Sequence, residues 1–398
     1  MKSFISVAAV AAITGTFTLA DVAHARWMVT NLHPAGATES QGRGVGDGQQ
    51  VGYARVSGVL HASLWSGTAS SWVDLHPAGA AESFASAVSA GKQVGTSRVG
   101  AVYRASLWSG TATSRIDLHP TGATLSTGAA VSGSQQAGSA NVGGVERASL
   151  WSGTAASWVD LHPGVSTLSQ AFAMDGEQQA GYARVRGANC ASLWSGTPDS
   201  WVDLSPAGST GSEARAVSDG EQAGYAVVGG AFHAGLWSGT ADSWVDLNPA
   251  GATYSIAYAA SGGKQAGAAT VGGVGCASVW SGTAESWVSL HAFLPAEFTR
   301  SEARGIFSDG VNTYIVGFGF NSMTNRHEAL LWTGPIAGPQ CPACAADYDQ
   351  NGGVDGGDIG AFFADFEAGA ACADVDGNGG VDGGDLGAFF EVFEAGGC

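Results

Sequence analysis

Apolar and polar residues alternate along most of the chain in short runs, and the runs repeat. Over 212–247, SEARAVSDGEQAGYAVVGGAFHAGLWSGTADSWVDL, four such runs are separated by Asp-Gly, Gly-Gly and Ser-Gly-Thr turn signals. The pattern predicts four antiparallel strands, at about 214–218, 222–228, 233–237 and 244–247, joined by tight hairpins. The third run closes on tryptophan in every unit. Trp65, Trp108, Trp151, Trp194, Trp237 and Trp280 are each 43 residues apart, and Trp332 follows after 52.

A repeat of this length, with several short strands, cannot bury its faces alone and must stack on its neighbours. In the first strand, Gly42, Ala85, Gly128, Ala171, Ala214, Ala257 and Ala303 share one register, so adjacent sheets approach closely there. The chain enters through Trp27-Met28-Val29-Thr30-Asn31-Leu32-His33-Pro34, which matches the fourth run of a unit, Trp72-Val73-Asp74-Leu75-His76-Pro77. The seventh unit stops after Leu331-Trp332-Thr333-Gly334 without a fourth run. The entering segment fills that vacancy and leaves no open sheet edge. The expected fold is therefore all-β over 26–334, a seven-bladed β-propeller of four-stranded blades closed by the N-terminal strand.

Units such as His61-Ala62-Ser63-Leu64-Trp65, followed by Trp72-Val73-Asp74-Leu75 and by Val217-Ser218-Asp219-Gly220-Glu221-Gln222-Ala223-Gly224-Tyr225, resemble the extracellular HAF repeat family over about 26–334. Ser stands for the Phe of the eponymous triplet in most units. The resemblance implies an extracellular repeat protein of propeller type and carries no agreed enzymatic activity.

The ends of the chain add location and charge. Residues 1–25 combine Lys2, an apolar stretch over 4–20 and Ala23-His24-Ala25, the pattern of a secretory signal peptide. No later window reaches the length of a membrane span, so a secreted, extracellular or cell-surface-attached protein is expected. The net charge is −18, and 341–398 hold twelve Asp and Glu with no Lys or Arg. That excludes the basic stripe a nucleic-acid partner needs and points to cations bound near the C-terminus.

Beyond a proline-containing linker at 335–340, two matching segments lie 27 residues apart. The first supplies Asp347, Asp349, Asn351, Gly353 (through its carbonyl), Asp355 and Asp358 at positions 1, 3, 5, 7, 9 and 12. The second supplies Asp374, Asp376, Asn378, Gly380, Asp382 and Asp385. Hard oxygen ligands at this spacing suit Ca²⁺, so two ions are expected. Each loop leads into an apolar helical face, Ile359, Phe362, Phe363 and Phe366 or Leu386, Phe389, Phe390 and Phe393, and the two faces can pack as a pseudo-twofold pair. This duplicated loop-then-helix unit at 341–398 resembles a dockerin module of the Gly-Cys-ending kind, a small α-helical calcium-binding domain. The resemblance implies attachment to a cohesin-like or other extracellular anchoring protein. Gly356-Gly357 and Gly383-Gly384 stand where many dockerins carry Ser, Thr or other partner contacts. Cys341, Cys344, Cys372 and Cys398 are candidates for two disulfides, with three connectivities open, and Cys190 and Cys276 read as free, packed thiols.

Within the ring, His33, His76, His119, His162 and His291 recur too far apart on a toroid to share a metal, and read as turn residues. Asp74, Asp117, Asp160, Asp203 and Asp246 likewise read as scaffold. One first-strand register is asymmetric: Arg43, Ser86, Ala129, Phe172, Arg215, Tyr258 and Arg304. Its Arg43, Phe172, Arg215, Tyr258 and Arg304 are the candidate ligand site, for a glycan or an anion held by forked hydrogen bonds and stacking. No catalytic constellation is found, and the expectation is a noncatalytic binding or scaffold propeller. The alternative is an anchored polysaccharide-active enzyme, a glycoside hydrolase or lyase, for which Glu39 and Glu82 on neighbouring blades are the nearest carboxylate pair. A purely structural surface protein is the third possibility.

Overall fold

The computed structural model describes residues 27–335, 344–349, 353–367, 371–376 and 381–396. The expected signal peptide, Cys341, Asn351, Asn378, Gly380, Cys398 and the linker after 335 lie outside them. Two compact units are present, Trp27–Ile336 and one containing Ala337–Cys398.

The first unit is a seven-bladed β-propeller of four-stranded antiparallel sheets. Six blades follow one another in sequence, the fifth, for example, built from Ser212–Ser218, Glu221–Val228, Ala231–Trp237 and Val245–Asp246. The seventh takes three strands from Phe298–Ser308, Asn312–Asn321 and Arg326–Pro335, and its fourth from Met28–Asn31. The ring is thus closed by its first segment, as the vacancy in the last unit requires.

The fourth strand is shorter than the sequence pattern predicts. A 3₁₀ turn at Ala241–Ser243 precedes it, locked by Ser243 Oγ, which accepts from the N–H of Ser238 at 2.8 Å and donates to the carbonyl of Thr240 at 2.6 Å. That reversal takes up the residues before Trp244, so only two are left to pair.

The invariant glycine of the second strand, which faces the inner one, has a geometric cause. Each of Gly52, Gly95, Gly138, Gly181, Gly224, Gly267 and Gly317 sits opposite a member of the small first-strand register. A Cβ on Gly52 would fall on the carbonyl oxygen of Gln41, and the other six meet the equivalent oxygen. One position later every inner strand carries a β-bulge, between Gly42 and Gly44 in the first blade and between Ala303 and Gly305 in the last. A bulge bends its strand and turns one side chain out of the ladder.

The core lies between blades rather than inside them. Trp151 of the third blade is fully buried among Val94, Ala105, Leu107 and Leu118 of the second, and all seven third-strand tryptophans are fully buried. Each junction also carries a side-chain to backbone link. The N–H groups of Ala62, Ala105, Ala148, Ala191, Ala234, Ala277 and Ala329 donate to Ser83, Ser126, Ser169, Ser212, Ser255, Ser301 and Ser40 of the following blade, at 2.9–3.0 Å. A buried amide left unpaired there would carry its full desolvation cost, so the serine is part of the frame.

In the second unit, helices α1 (Gly356–Glu367) and α2 (Gly383–Glu394) enclose a small aromatic core. Phe362 and Phe389, equivalent residues 27 apart, stack with ring centroids 4.0 Å apart and planes within 1°. Equivalent residues in face-to-face contact are what a local twofold produces. Tyr348 packs edge-on against both rings and donates its hydroxyl to Asp365 at 3.0 Å.

Candidate functional sites

The asymmetric register is the bulge itself. Arg43, Ser86, Ala129, Phe172, Arg215, Tyr258 and Arg304 are the residues skipped by the ladder in blades one to seven. Inner strands touch their neighbours all round the ring, and bulge side chains from adjacent blades meet. The guanidinium of Arg215 lies 4.2 Å from the ring centroid of Phe172, and that of Arg304 lies 4.1 Å from Tyr258. Arg43 stands 5.4 Å from both Tyr53 and Phe84. The five candidate residues therefore form three cation–aromatic groups on the inner wall of the ring.

The structure adds partners that the sequence reading missed. Arg215 is ion-paired with Glu213, and Arg304 with Glu302, each two residues upstream on the same strand and same face. The alternation of the strand was the available signal. Among the described residues Arg43 has no carboxylate partner, so an anion would find one uncommitted guanidinium rather than three. Beside this wall a cleft of about 320 Å³ is lined by Gln41, Tyr254, Arg300, Glu302, Phe318 and His327.

Glu39 and Glu82 are engaged by side chains of their own blades, and Glu39 also lies 3.7 Å from His327 of the seventh. Glu39 accepts from the Tyr53 hydroxyl at 3.1 Å and from Arg55 Nε at 3.1 Å. Burial, reinforced by Glu39, pushes the Tyr53 phenol up to about 12, so it stays a donor. Glu82 accepts from the Tyr103 hydroxyl and lies 3.6 Å from Arg98.

The recurrent histidines hold the blade junctions. His162 Nδ1 bonds Ser169 Oγ at 2.9 Å and its Nε2 bonds the Ser166 carbonyl at 3.1 Å; His33, His76 and His119 repeat the pattern. His291 bonds Ser301 at 2.9 Å. Burial lowers the pKa of all five below the usual value. The recurrent aspartates cap the same connections, Asp160 Oδ1 accepting from the His162 N–H at 2.9 Å.

In the second unit, Asp347, Asp349 and Asp358 converge with ligand atoms within 4.8 Å of one another, and Asp374, Asp376 and Asp385 repeat the arrangement. Asp358 and Asp385 are fully buried, and each accepts two backbone N–H bonds, Asp385 from Asp376 at 3.1 Å and from Asp382 at 2.8 Å. Those amides, that of Asp382 first, hold the Asp385 carboxyl below its usual range. Asp355 and Asp382 instead cap the helices, accepting from Gly357 and Gly384 at 2.7 Å. A Cβ on Gly357 would stand 2.7 Å from Asp349 Oδ2, and one on Gly384 equally close to Asp376 Oδ2. The second glycine of each pair thus makes room for the acidic cluster, whereas Gly356 and Gly383 face open space. The free thiols among the described residues are Cys190 and Cys276, both buried, whereas Cys344 and Cys372 are not free.

No helix among the described residues is long and apolar enough to cross a membrane. No protein-family profile and no curated protein matches the chain. Solved structures share its fold at low identity. Puromycin hydrolase is 13% identical with a TM-score of 0.47, and the match covers 78% of this chain and 55% of that one, so the chain spans about half its length. The β-propeller domain of the Trilobed protease from Pyrococcus furiosus is 8% identical, TM-score 0.48, covering 77% and 98%. TolB from Acinetobacter baumannii is 12% identical, TM-score 0.41, covering 77% and 80%.

Proposed function

We propose that this protein is a secreted, noncatalytic binding propeller, tethered to an extracellular partner by a calcium-dependent, dockerin-like module. The observation that carries the reading is the ring of bulge residues. Repetition builds the scaffold, and an inner register that escapes repetition presents guanidiniums and aromatic faces side by side. With Arg215 and Arg304 already neutralised by their glutamates, stacking surfaces outweigh net positive charge, which favours a glycan over a simple anion.

The two acidic clusters are what supports a proposal of two calcium ions. Two buried carboxylates, each flanked by two further aspartates, fit a hard divalent cation better than any apolar ligand. Asp347, Asp349 and Asp358 would hold one ion and Asp374, Asp376 and Asp385 the other, with Asn351, Gly353, Asp355, Asn378, Gly380 and Asp382 completing the loops. Disulfides among Cys341, Cys344, Cys372 and Cys398 belong to the same proposal. Calcium neutralises clustered charge and thereby couples to folding of the small helical core.

The test is capture. The full chain and a chain lacking 341–398 are each offered to culture proteins in calcium and in chelator, and to a glycan panel. Calcium-dependent capture only by the full chain, with glycan binding but no turnover by both, is the expected result. Glycan cleavage that is lost in Glu39→Gln or Glu82→Gln would replace this reading with the enzymatic one.

A further inference from the structure

Away from the inner wall, a cleft of about 630 Å³ opens where the fourth blade meets the start of the fifth, with Val185, Cys190, Trp201, Asp203 and Ser205 in its walls; Arg186 also lines it, and forms no ion pair with Asp203. The repeat supplies the comparison that gives it meaning. In four other blades, a fourth-strand carboxylate is paired with a basic side chain of the third strand. These pairs are His61–Asp74 at 2.8 Å, Arg104–Asp117 at 3.0 Å, Arg147–Asp160 at 2.7 Å and His233–Asp246 at 2.8 Å.

The fourth blade keeps the carboxylate, Asp203, and places Cys190 at the basic position. It also replaces the junction histidine, present as His162 one blade earlier, by Ser205. Two large polar groups are thereby removed from one place. The sixth blade shares the cysteine but neither the retained carboxylate nor the lost histidine, because Cys276 is accompanied there by Ser289 and His291. That blade keeps neither the negative charge nor a truncated junction.

The acceptors for the missing cation are still present. Arg147 donates through Nη1 to Asp160 Oδ2 and through Nε to the Val142 carbonyl at 3.4 Å. Forty-three residues on, the same acceptors are Asp203 and Val185, both in the walls of the cleft. The Ser205 N–H occupies Asp203 Oδ1 at 2.9 Å, and Oδ2 is the oxygen that takes the cation in the four paired blades. Trp201 offers an aromatic face on which a guanidinium plane can stack.

We propose that this cleft binds an arginine side chain supplied by another molecule, which completes the ion pair that the fourth blade has lost. The site shares no residue with the inner wall, so it stands or falls independently of the function proposed above.

Isothermal titration of the full chain with N-acetyl-argininamide, against N-acetyl-norleucinamide, tests it. The arginine probe is expected to bind saturably and about three- to five-fold more tightly than the norleucine probe, since an exposed charge pair is weak but real. Asp203→Asn should weaken it about three- to five-fold. Cys190→Arg should abolish it by filling the cleft from within, and Asp160→Asn, whose carboxylate is already paired, should leave it unchanged. Melting curves show whether each variant is folded. Equal binding of the two probes, undiminished binding by Asp203→Asn, or no saturable binding at tens of millimolar would overturn the proposal.

Discussion

Val29 sits directly across from Trp332 in an antiparallel ladder that joins the first described strand to the last. Some three hundred residues of chain separate them, and the bonds between Met28–Asn31 and Arg326–Pro335 make a closed ring of what would otherwise be an open row of sheets. Leu32, next in the chain, is fully buried against Val316, Ala329 and Leu331.

Ring closure should therefore govern cooperativity. Deleting 26–34 exposes the edge of Arg326–Pro335 and removes Leu32 from the junction between the seventh blade and the first. The expected outcome is a broad, multiphase melt in place of a single transition, read by calorimetry. Leu32→Ala alone should cost about 2–5 kcal/mol.

Interblade tryptophans should dominate stability. Trp151→Ala removes a fully buried ring from the boundary of the second and third blades and should cost about 3–5 kcal/mol in urea denaturation. Val159→Ser, at a position 40% exposed on the same blade, should change stability by no more than about 0.5 kcal/mol. Comparable losses from both would refute a core located between blades.

Acid should loosen the blade junctions before it titrates the carboxylates. Burial lowers the pKa of His33, His76, His119, His162 and His291 from 6.5, so the folded protein binds fewer protons than the unfolded chain below that value. Their contribution is complete above about pH 6.5 and is lost as the pH falls beneath it. Tm is expected to be flat from about pH 8 to 7 and to drop between about 6.5 and 5. The fifth blade shows how to blunt the effect: Asn248 replaces the histidine and still accepts from Ser255 at 2.6 Å. His162→Asn should accordingly shrink the drop, and a Tm unchanged down to pH 5 would contradict the assignment.

Calcium removal should unfold one unit and spare the other. Chelator is expected to abolish the α-helical signal of Gly356–Glu367 and Gly383–Glu394 while leaving the near-ultraviolet tryptophan signal of the propeller. Asp385→Asn in the full chain should weaken one of two calcium-binding events by ten-fold or more. Two unchanged binding events would exclude Asp385 as a ligand.

Much of the frame was legible because a repeat reports its own geometry. Equal spacing of Trp65 through Trp280 set the blade, the match of the segment around Val29 to that around Val73 set the closure, and both follow from strands that need partners. The length of the fourth strand was not legible, because a Ser-Gly-Thr turn stabilised by Ser243 is a local hydrogen-bond choice that apolar alternation does not encode. The junction serines were open to view at 43-residue intervals from Ser40 to Ser255, yet a serine in a strand carries no apolar signal, and only the neighbouring blade reveals what it accepts.

For the candidate sites the division is similar. The amino-acid sequence alone determined which residues repeat, which register breaks the repeat and where the aspartates fall in each acidic loop, since these are matters of order along the chain. Tertiary structure decided that the broken register is a bulge, that Glu213 and Glu302 neutralise two of its three arginines, and that Asp203 has lost the cation its counterparts keep. Those facts depend on which side chains meet across strands and between blades, and interaction energies fall off over a few ångströms in space while taking no account of distance in sequence.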